Sequence, residues 1–176
     1  MAGEWVTDLL SGVDVPHAHG RIVAAVAAGV MRAAVHPRLR GRFAVEPAAA
    51  RRPSRFAYEV LVRIPLGTAF AEEAMFRGTL LGLSLRQRSW PASIARNALC
   101  FGLWHILPTV AQARARGEAR AAPAQIAASV LGTAFAGVVF AALRRRTGDI
   151  VAPTIVHGAV NASALGAARR ARGAVG

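Results

Sequence analysis

The chain has no lysine, a single cysteine and only nine acidic residues, against 22 arginines. Because Cys100 stands alone, an intrachain disulfide and a cysteine-rich metal site are both excluded. The formal net charge of +13 indicates an anionic partner, either nucleic acid or anionic lipid. The first 16 residues are acidic and lack a positive segment before an apolar run, so they do not form a standard signal peptide.

Three long stretches of the chain carry no formal charge: 97–113, 124–143 and 150–168. The second of these is long enough to cross a hydrocarbon core about 30 Å thick. Arginines cluster between the uncharged runs, at 38–55, 86–88, 114–120, 144–146 and 169–172. Short basic loops beside apolar spans are typical of polytopic membrane proteins. A soluble helical bundle that binds nucleic acid would instead carry arginines along its helix faces. We therefore expect an integral membrane protein with the lipid bilayer, and not a nucleic acid, as its partner.

The apolar pattern predicts an all-α membrane bundle of about four to five transmembrane helices. The predicted helices cover about 20–35, 56–85, 92–108, 124–143 and 150–168, and the third is expected to break near Pro108. The predicted organisation is an N-terminal tail or surface helix (1–19), a first helix and basic loop (20–55), a helical core (56–168) and a basic C-terminal tail (169–176). The excess of alanine and arginine indicates a GC-rich bacterial genome, so we expect the bacterial plasma membrane.

Three charges interrupt the second predicted helix, in "AEEAMFRGTLLG" (71–82). Ionisable groups at membrane depth are costly unless paired or hydrated, which makes them candidates for function. Glu73 and Arg77 have the i, i+4 spacing and the order that favour a salt bridge. Glu72 points roughly 100° away around the helix and has no partner at that spacing. A free carboxylate among apolar neighbours suits a general base. The alternative is a charge cluster at a helix end that reaches the membrane surface.

Two later helices each carry a histidine paired with a residue one turn away. Phe101 and His105 share one helix face, and so do His157 and Asn161. The structural alternatives are a buried or interface histidine at 105 and a helix–helix hydrogen bond at 157 and 161. Asp149 precedes the last helix and is predicted to cap its N-terminus.

Together, "EEAMFR" (72–77), "FGLWH" (101–105) and "HGAVN" (157–161) resemble the three motifs of the CPBP family. These are the CAAX-processing and bacteriocin-processing intramembrane proteases, also called the Abi family. The resemblance covers about residues 55–168 and departs from the family in size, since at most one span precedes the first motif. It implies that the motif residues meet in a cavity inside the helical bundle.

The resemblance implies an intramembrane endopeptidase that acts on a hydrophobic or membrane-associated peptide or protein. Glu72 would activate a water for attack on the peptide carbonyl, and His105 would help to hold or polarise that water. His157 and Asn161 would stabilise the oxyanion, while Glu73, Arg77 and Phe101 would support the site. The alternative function is a non-enzymatic membrane protein of the bacteriocin-immunity or scaffold type.

The sequence also contains candidate ligands for a metal cofactor. Glu72, His105 and His157 form one candidate set of zinc ligands, which would leave a fourth position for water. The family is named for metalloproteases, although a metal-free, glutamate-activated water has also been proposed for it. Because no His-Glu-x-x-His helix occurs and each candidate ligand comes from a different segment, we expect no tightly bound metal.

Overall fold

In the computed structural model, residues 52–118 and 120–173 are described. Every regular element in these two ranges is helical, as predicted, and the helices are α1 (53–85), α2 (Trp90–Trp104), α3 (Ile106–Ala115), α4 (Pro123–Thr147) and α5 (Val151–Gly173). The predicted tail at 1–19 and helix at 20–35 lie outside the described residues. The described residues cover the predicted core at 56–168 except for residue 119.

Helix α1 is continuous, but its hydrogen-bond pattern changes along its length. The segments Pro53–Tyr58, Ala71–Glu73 and Leu81–Leu85 are α-helical, whereas Glu59–Phe70 and Ala74–Leu80 have the wider π-helical geometry. The residues at the junctions keep right-handed helical torsion angles, so the helix axis is not interrupted. Segments of π-helix are rare and often lie at functional sites. Here they flank the two adjacent glutamates on both sides.

The third predicted helix breaks near Pro108, as expected, and the break lies at His105, between two helices. Helix α2 ends at Trp104 and α3 begins at Ile106, with His105 between them at φ −79° and ψ −3°. Pro108 causes the break one turn earlier, because it has no N–H for the Trp104 carbonyl and its ring crowds that carbonyl. The proline therefore places a histidine at the junction of two helices.

Helices α4 and α5 both extend beyond their predicted ends. Helix α4 continues to Thr147 and stops at Gly148, whose φ of 76° is left-handed. The Asp149 carboxylate then accepts hydrogen bonds from the Val151 and Ala152 amides at 2.8 and 3.2 Å, which confirms the predicted cap. Helix α5 runs on to Gly173, so the predicted tail at 169–176 is helical over most of its length, because alanine and arginine are strong helix formers.

Glycines allow α2 and α4 to pack closely. A Cβ atom added at Gly102 would lie 2.7 Å from the Val130 carbonyl oxygen, and one added at Gly137 would lie 3.1 Å from the Cα atom of Ala98. Small residues at such contacts let helix backbones approach each other, as is common in membrane bundles. The aromatic core lies beside this contact and consists of Phe76, Phe101, Phe140, Leu143 and Val156, with the half-buried Cys100 packed at its edge.

The close contact at Gly102 gives a stability prediction. We expect Gly102→Ala to destabilise the protein by roughly 1–3 kcal/mol, because the new methyl group would overlap a backbone oxygen that cannot move freely. Gly132→Ala on α4 is the matched control, since a Cβ atom there meets nothing within 4 Å. Thermal unfolding in detergent measures both variants. Equal melting temperatures for the two variants would contradict this packing.

Polarity is distributed unusually between the inside and the outside of the bundle. Among the residues in 52–118 and 120–173, four ionisable side chains are buried: Glu59, Glu73, Arg77 and His157. Large apolar side chains are exposed instead, and the most exposed of them are Leu61, Leu107, Leu131 and Phe135. Helix α4 is long and apolar enough to cross a membrane, yet only 22% of its most apolar window is buried. A core helix of a soluble protein would be mostly buried, so α4 is a candidate membrane span.

Candidate active site

The three sequence motifs meet around the buried ring of Phe101 on α2. The ring centroid lies 4.8 Å from that of His105 and 5.9 Å from that of His157 on α5. The guanidinium carbon of Arg77 on α1 lies 4.1 Å from the same centroid. The structure therefore brings one residue of each motif into contact with a single aromatic side chain.

Glu73 and Arg77 form the ion pair that their spacing predicts. Arg77 Nη1 donates to Glu73 Oε1 at 3.0 Å, and neither side chain is exposed. The rings of Phe101, Phe140 and Phe76 surround the guanidinium at 4.1, 5.0 and 5.8 Å. Aromatic faces attract a cation and compensate in part for its lost hydration. The pair is thus fixed both by charge and by packing.

Glu73 has a second partner, which the sequence did not indicate. His157 Nδ1 lies 2.9 Å from Glu73 Oε1. Because a carboxylate only accepts hydrogen bonds, Nδ1 carries the proton and donates it. The His157 ring also stacks on Phe140, with centroids 4.9 Å apart and an angle of 20° between the planes. These contacts fix the ring so that its other nitrogen, Nε2, faces Glu72.

Glu72 has a carboxylate oxygen without a partner. Its Oε2 atom is buried, makes no hydrogen bond to any described residue and lies 3.8 Å from His157 Nε2. This distance is too long for a direct hydrogen bond. A water beside the gap can reach both atoms at once. The side chain as a whole is 17% exposed, so the carboxylate is not sealed off.

His105 is held in one tautomer by its own helix. Its Nδ1 atom lies 2.8 Å from the Phe101 carbonyl oxygen. Because a carbonyl oxygen only accepts, Nδ1 carries the proton and Nε2 keeps a lone pair. The Thr109 hydroxyl donates to the His105 carbonyl at 2.7 Å, which anchors the start of α3. His105 therefore presents a hydrogen-bond acceptor, half-buried, at the break between two helices.

Asn161 is the predicted site residue with the weakest connection to the others. It lies one turn after His157 on α5 and is half-buried. Its side chain makes no hydrogen bond to Glu72, to either histidine or to any other residue in 52–118 and 120–173. Both N–H donors of the amide are therefore free of described protein partners.

Two residues that sequence analysis missed hold the site together. Asn97 Nδ2 donates to the Phe76 carbonyl at 2.7 Å, with both residues buried, and this bond ties α2 to the π-helical part of α1. A polar side chain in an uncharged span is a signal that could have identified Asn97. Phe140 contacts both Arg77 and His157, but a phenylalanine in an apolar helix gives no such signal.

The candidate zinc ligands do not come together as a group of three. Within the described ranges, no three His, Cys, Asp or Glu side chains are grouped so that they could hold a metal ion. Glu72 and His157 face each other, but His105 does not join them as a third ligand. The residues present therefore do not fit a three-ligand zinc centre, and no catalytic step below depends on a metal.

Comparison with known proteins decides the family. A model of the type II CAAX prenyl endopeptidase Rce1-like family matches residues 53–163. The chain belongs to this family. No curated protein and no solved structure matches it. The match begins at the first residue of α1 and includes all three motifs, so the resemblance to CAAX-processing proteases is confirmed. Members of the Rce1-like family are integral membrane proteases with helical folds, which agrees with the apolar surface of the bundle.

Proposed function

We propose that the chain is an intramembrane endopeptidase that hydrolyses a peptide bond in a hydrophobic or membrane-associated substrate. One observation carries the proposal: a buried Glu72 oxygen without a described hydrogen-bond partner lies 3.8 Å from an imidazole nitrogen, in a chain of a membrane protease family. Peptide hydrolysis needs a base for the water and donors for the tetrahedral intermediate. In this proposal Glu72 is the base, and His157 and Asn161 are the donors.

The bundle spans the membrane with about four to five helices in this proposal. The exposed leucines, valines and phenylalanines of α1, α2, α4 and α5 support it, because they present an apolar surface to the surroundings. The buried ions support it as well, since charged side chains at membrane depth face the interior of a bundle and pair with one another. The site would then be an aqueous pocket reached from within the bilayer.

Glu72 acts as the general base. It accepts a proton from the attacking water, the resulting hydroxide adds to the peptide carbonyl carbon, and the C–N bond then breaks. Glu72 returns the proton to the amine leaving group, so the carboxylate is regenerated at the end of the cycle. The water donates a hydrogen bond from its other O–H to the lone pair on His105 Nε2, which orients the water for attack.

His157 and Asn161 stabilise the oxyanion. The Asn161 amide can donate without giving up a hydrogen bond to another described residue. His157 can donate from Nε2 only when both ring nitrogens carry protons, and the Glu73 carboxylate beside Nδ1 compensates that charge. Arg77 in turn holds Glu73 in place. Arg77 and Glu73 thus support His157, which contacts the oxyanion.

A comparison of the termini of membrane peptides between bacterial strains tests the proposal. Strains that carry the wild-type protein, Glu72→Gln or Glu118→Gln are compared, and Glu118 is the control because it lies on an exposed loop. We expect a set of new termini in the wild-type and Glu118→Gln strains that is missing from the Glu72→Gln strain. Identical termini in all three strains would favour an immunity or scaffold protein over a protease.

Removal of divalent metals should leave activity unchanged. Because the described residues do not group into a three-ligand site, we expect less than a twofold change in peptide cleavage when the purified protein is treated with a strong chelator. The assay uses the reconstituted protein with a fluorogenic peptide. Complete inhibition that added zinc reverses would contradict this expectation and would show that cleavage needs a metal.

A further inference from the structure

A cavity lies at one end of the bundle, outside the candidate active site, and Arg77 is one of its lining residues. Its volume is about 290 Å³, and it lies where α1 ends, α2 begins and α4 ends. Arg77, Trp90, Arg144, Arg145 and Gly148 contribute to its wall, together with apolar residues of α1. The cavity thus contains residues that the proposed peptidase mechanism does not use.

The polar groups around this cavity lack acceptors. Two residues of the wall each have a buried nitrogen atom without a hydrogen-bond partner among the described residues: Nε1 of Trp90 and Nε of Arg144. Both are N–H donors. A buried donor without a partner costs free energy, and most such groups in proteins are satisfied by protein, water or ligand. What this wall lacks is therefore an acceptor.

The charge of the cavity also favours an anion. Arg144 and Arg145 contribute to the wall, together with Arg77, whose charge Glu73 compensates, and no acidic residue lines the cavity. The Arg145 guanidinium carbon lies 5.0 Å from the centroid of the Trp90 ring, which keeps this second cation beside the cavity. Helix α2 begins at Trp90, and Ser89 at its N-cap makes no side-chain hydrogen bond to the first turn. The positive end of the helix dipole therefore lies at the same place.

We propose that this cavity binds a phosphate group, with Trp90 and Arg144 as donors and Arg145 as a nearby cation. Phosphate oxygens accept several hydrogen bonds at once, and guanidinium groups match them in geometry and charge. The arginines at 86–88 and 144–146 surround the same end of the bundle, which is where lipid head groups supply phosphate in a membrane. A soluble phosphate compound offers the same chemistry.

The proposal is independent of peptide hydrolysis, because it concerns binding alone. It does connect the two sites physically. Arg77 contributes to the wall of the cavity and also donates to Glu73, which holds His157. The cavity and the candidate active site therefore border the same arginine.

Binding is tested with purified protein in a phosphate-free, uncharged detergent. Inorganic phosphate and glycerol 3-phosphate are titrated by calorimetry, and short-chain phosphatidylglycerol and diacylglycerol are compared by native mass spectrometry. Arg144→Gln and Trp90→Phe each remove a donor, and Arg146→Gln is the control because it lies in the same helical turn without contributing to the wall.

We expect saturable binding of at least one phosphate-bearing probe, weakened about tenfold or more by Arg144→Gln and by less by Trp90→Phe, since hydrogen bonds to charged groups are the stronger ones. Arg146→Gln should bind within twofold of wild type. Binding of phosphatidylglycerol alone identifies a lipid head group, and binding of inorganic phosphate identifies a soluble anion. The proposal fails if no phosphate probe binds, if diacylglycerol binds as well as phosphatidylglycerol, or if Arg144→Gln and Arg146→Gln behave alike.

Discussion

Glu72→Gln should lower the rate of peptide cleavage by about 10²–10⁴-fold, the range that general-base catalysis contributes. Glutamine keeps the shape of the side chain but cannot accept the proton of the attacking water. The fold should be unaffected, because the Oε2 atom of Glu72 makes no hydrogen bond to the described residues. Cleavage of a quenched hydrophobic peptide by the reconstituted protein measures the rate, and thermal unfolding measures the fold.

The cleavage rate of Glu72→Gln is compared with the rates of two other variants. Glu118→Gln removes an acid from an exposed loop and should cleave at the wild-type rate. Asn161→Ala should reduce the rate without abolishing it, because one oxyanion donor of two would remain. A Glu72→Gln protein that is folded and retains most of its activity would show that another group activates the water.

Arg77→Met should destabilise the protein by about 3–5 kcal/mol, the cost of leaving a buried charge without its ion-pair partner. The Glu73 carboxylate would keep only its hydrogen bond from His157, in a site with no exposure to solvent. Three aromatic rings would also lose the cation that they surround. This is the largest effect on stability that we expect from any single change in the described helices.

The double variant Glu73→Gln/Arg77→Met separates charge from packing. It should be more stable than Arg77→Met alone, because it removes the unpaired carboxylate as well. Arg63→Met is the control for losing an arginine from α1, since Arg63 is 58% exposed and Glu59 keeps Arg55 as a second partner. Its expected cost is about 0–1 kcal/mol. Thermal unfolding in detergent that ranks Arg77→Met with Arg63→Met would contradict the buried ion pair.

Local contacts of the site could be predicted from the sequence, because they depend on helix geometry alone. The Glu73–Arg77 pair follows from i, i+4 spacing, and the Asp149 cap follows from its position before an apolar run. The bond from His157 to Glu73 joins residues that are 84 positions apart. It depends on how α5 packs against α1, which no spacing rule contains.

The fold shows the same division between local and distant effects. Helices α2, α4 and α5 follow from the three uncharged apolar runs, whereas the π-helical geometry of α1 does not follow from its composition. The break at His105 could have been placed correctly, because a proline disturbs the carbonyl four residues before it, and that residue is Trp104. The aromatic contacts of Phe140 require tertiary packing, since nothing distinguishes this residue from its apolar neighbours in the sequence.

Glu72 on α1 and His157 on α5 face each other across the candidate active site, so cysteines at these two positions should be close enough to cross-link. Cys100→Ser removes the native thiol, and cysteines then replace Glu72 and His157 as a pair. Dibromobimane, which fluoresces strongly only after both of its ends have reacted with thiols, is added to the folded protein in detergent. The control pair combines Glu72→Cys with Phe135→Cys, because Phe135 is 72% exposed on α4.

We predict a fluorescent intramolecular adduct for the 72/157 pair, well above both single-cysteine proteins and above the 72/135 pair. Mass spectrometry of the digested protein should find the 72 and 157 peptides joined. If the 72/157 pair reacts no more than the single cysteines in protein that remains folded, Glu72 and His157 do not face each other.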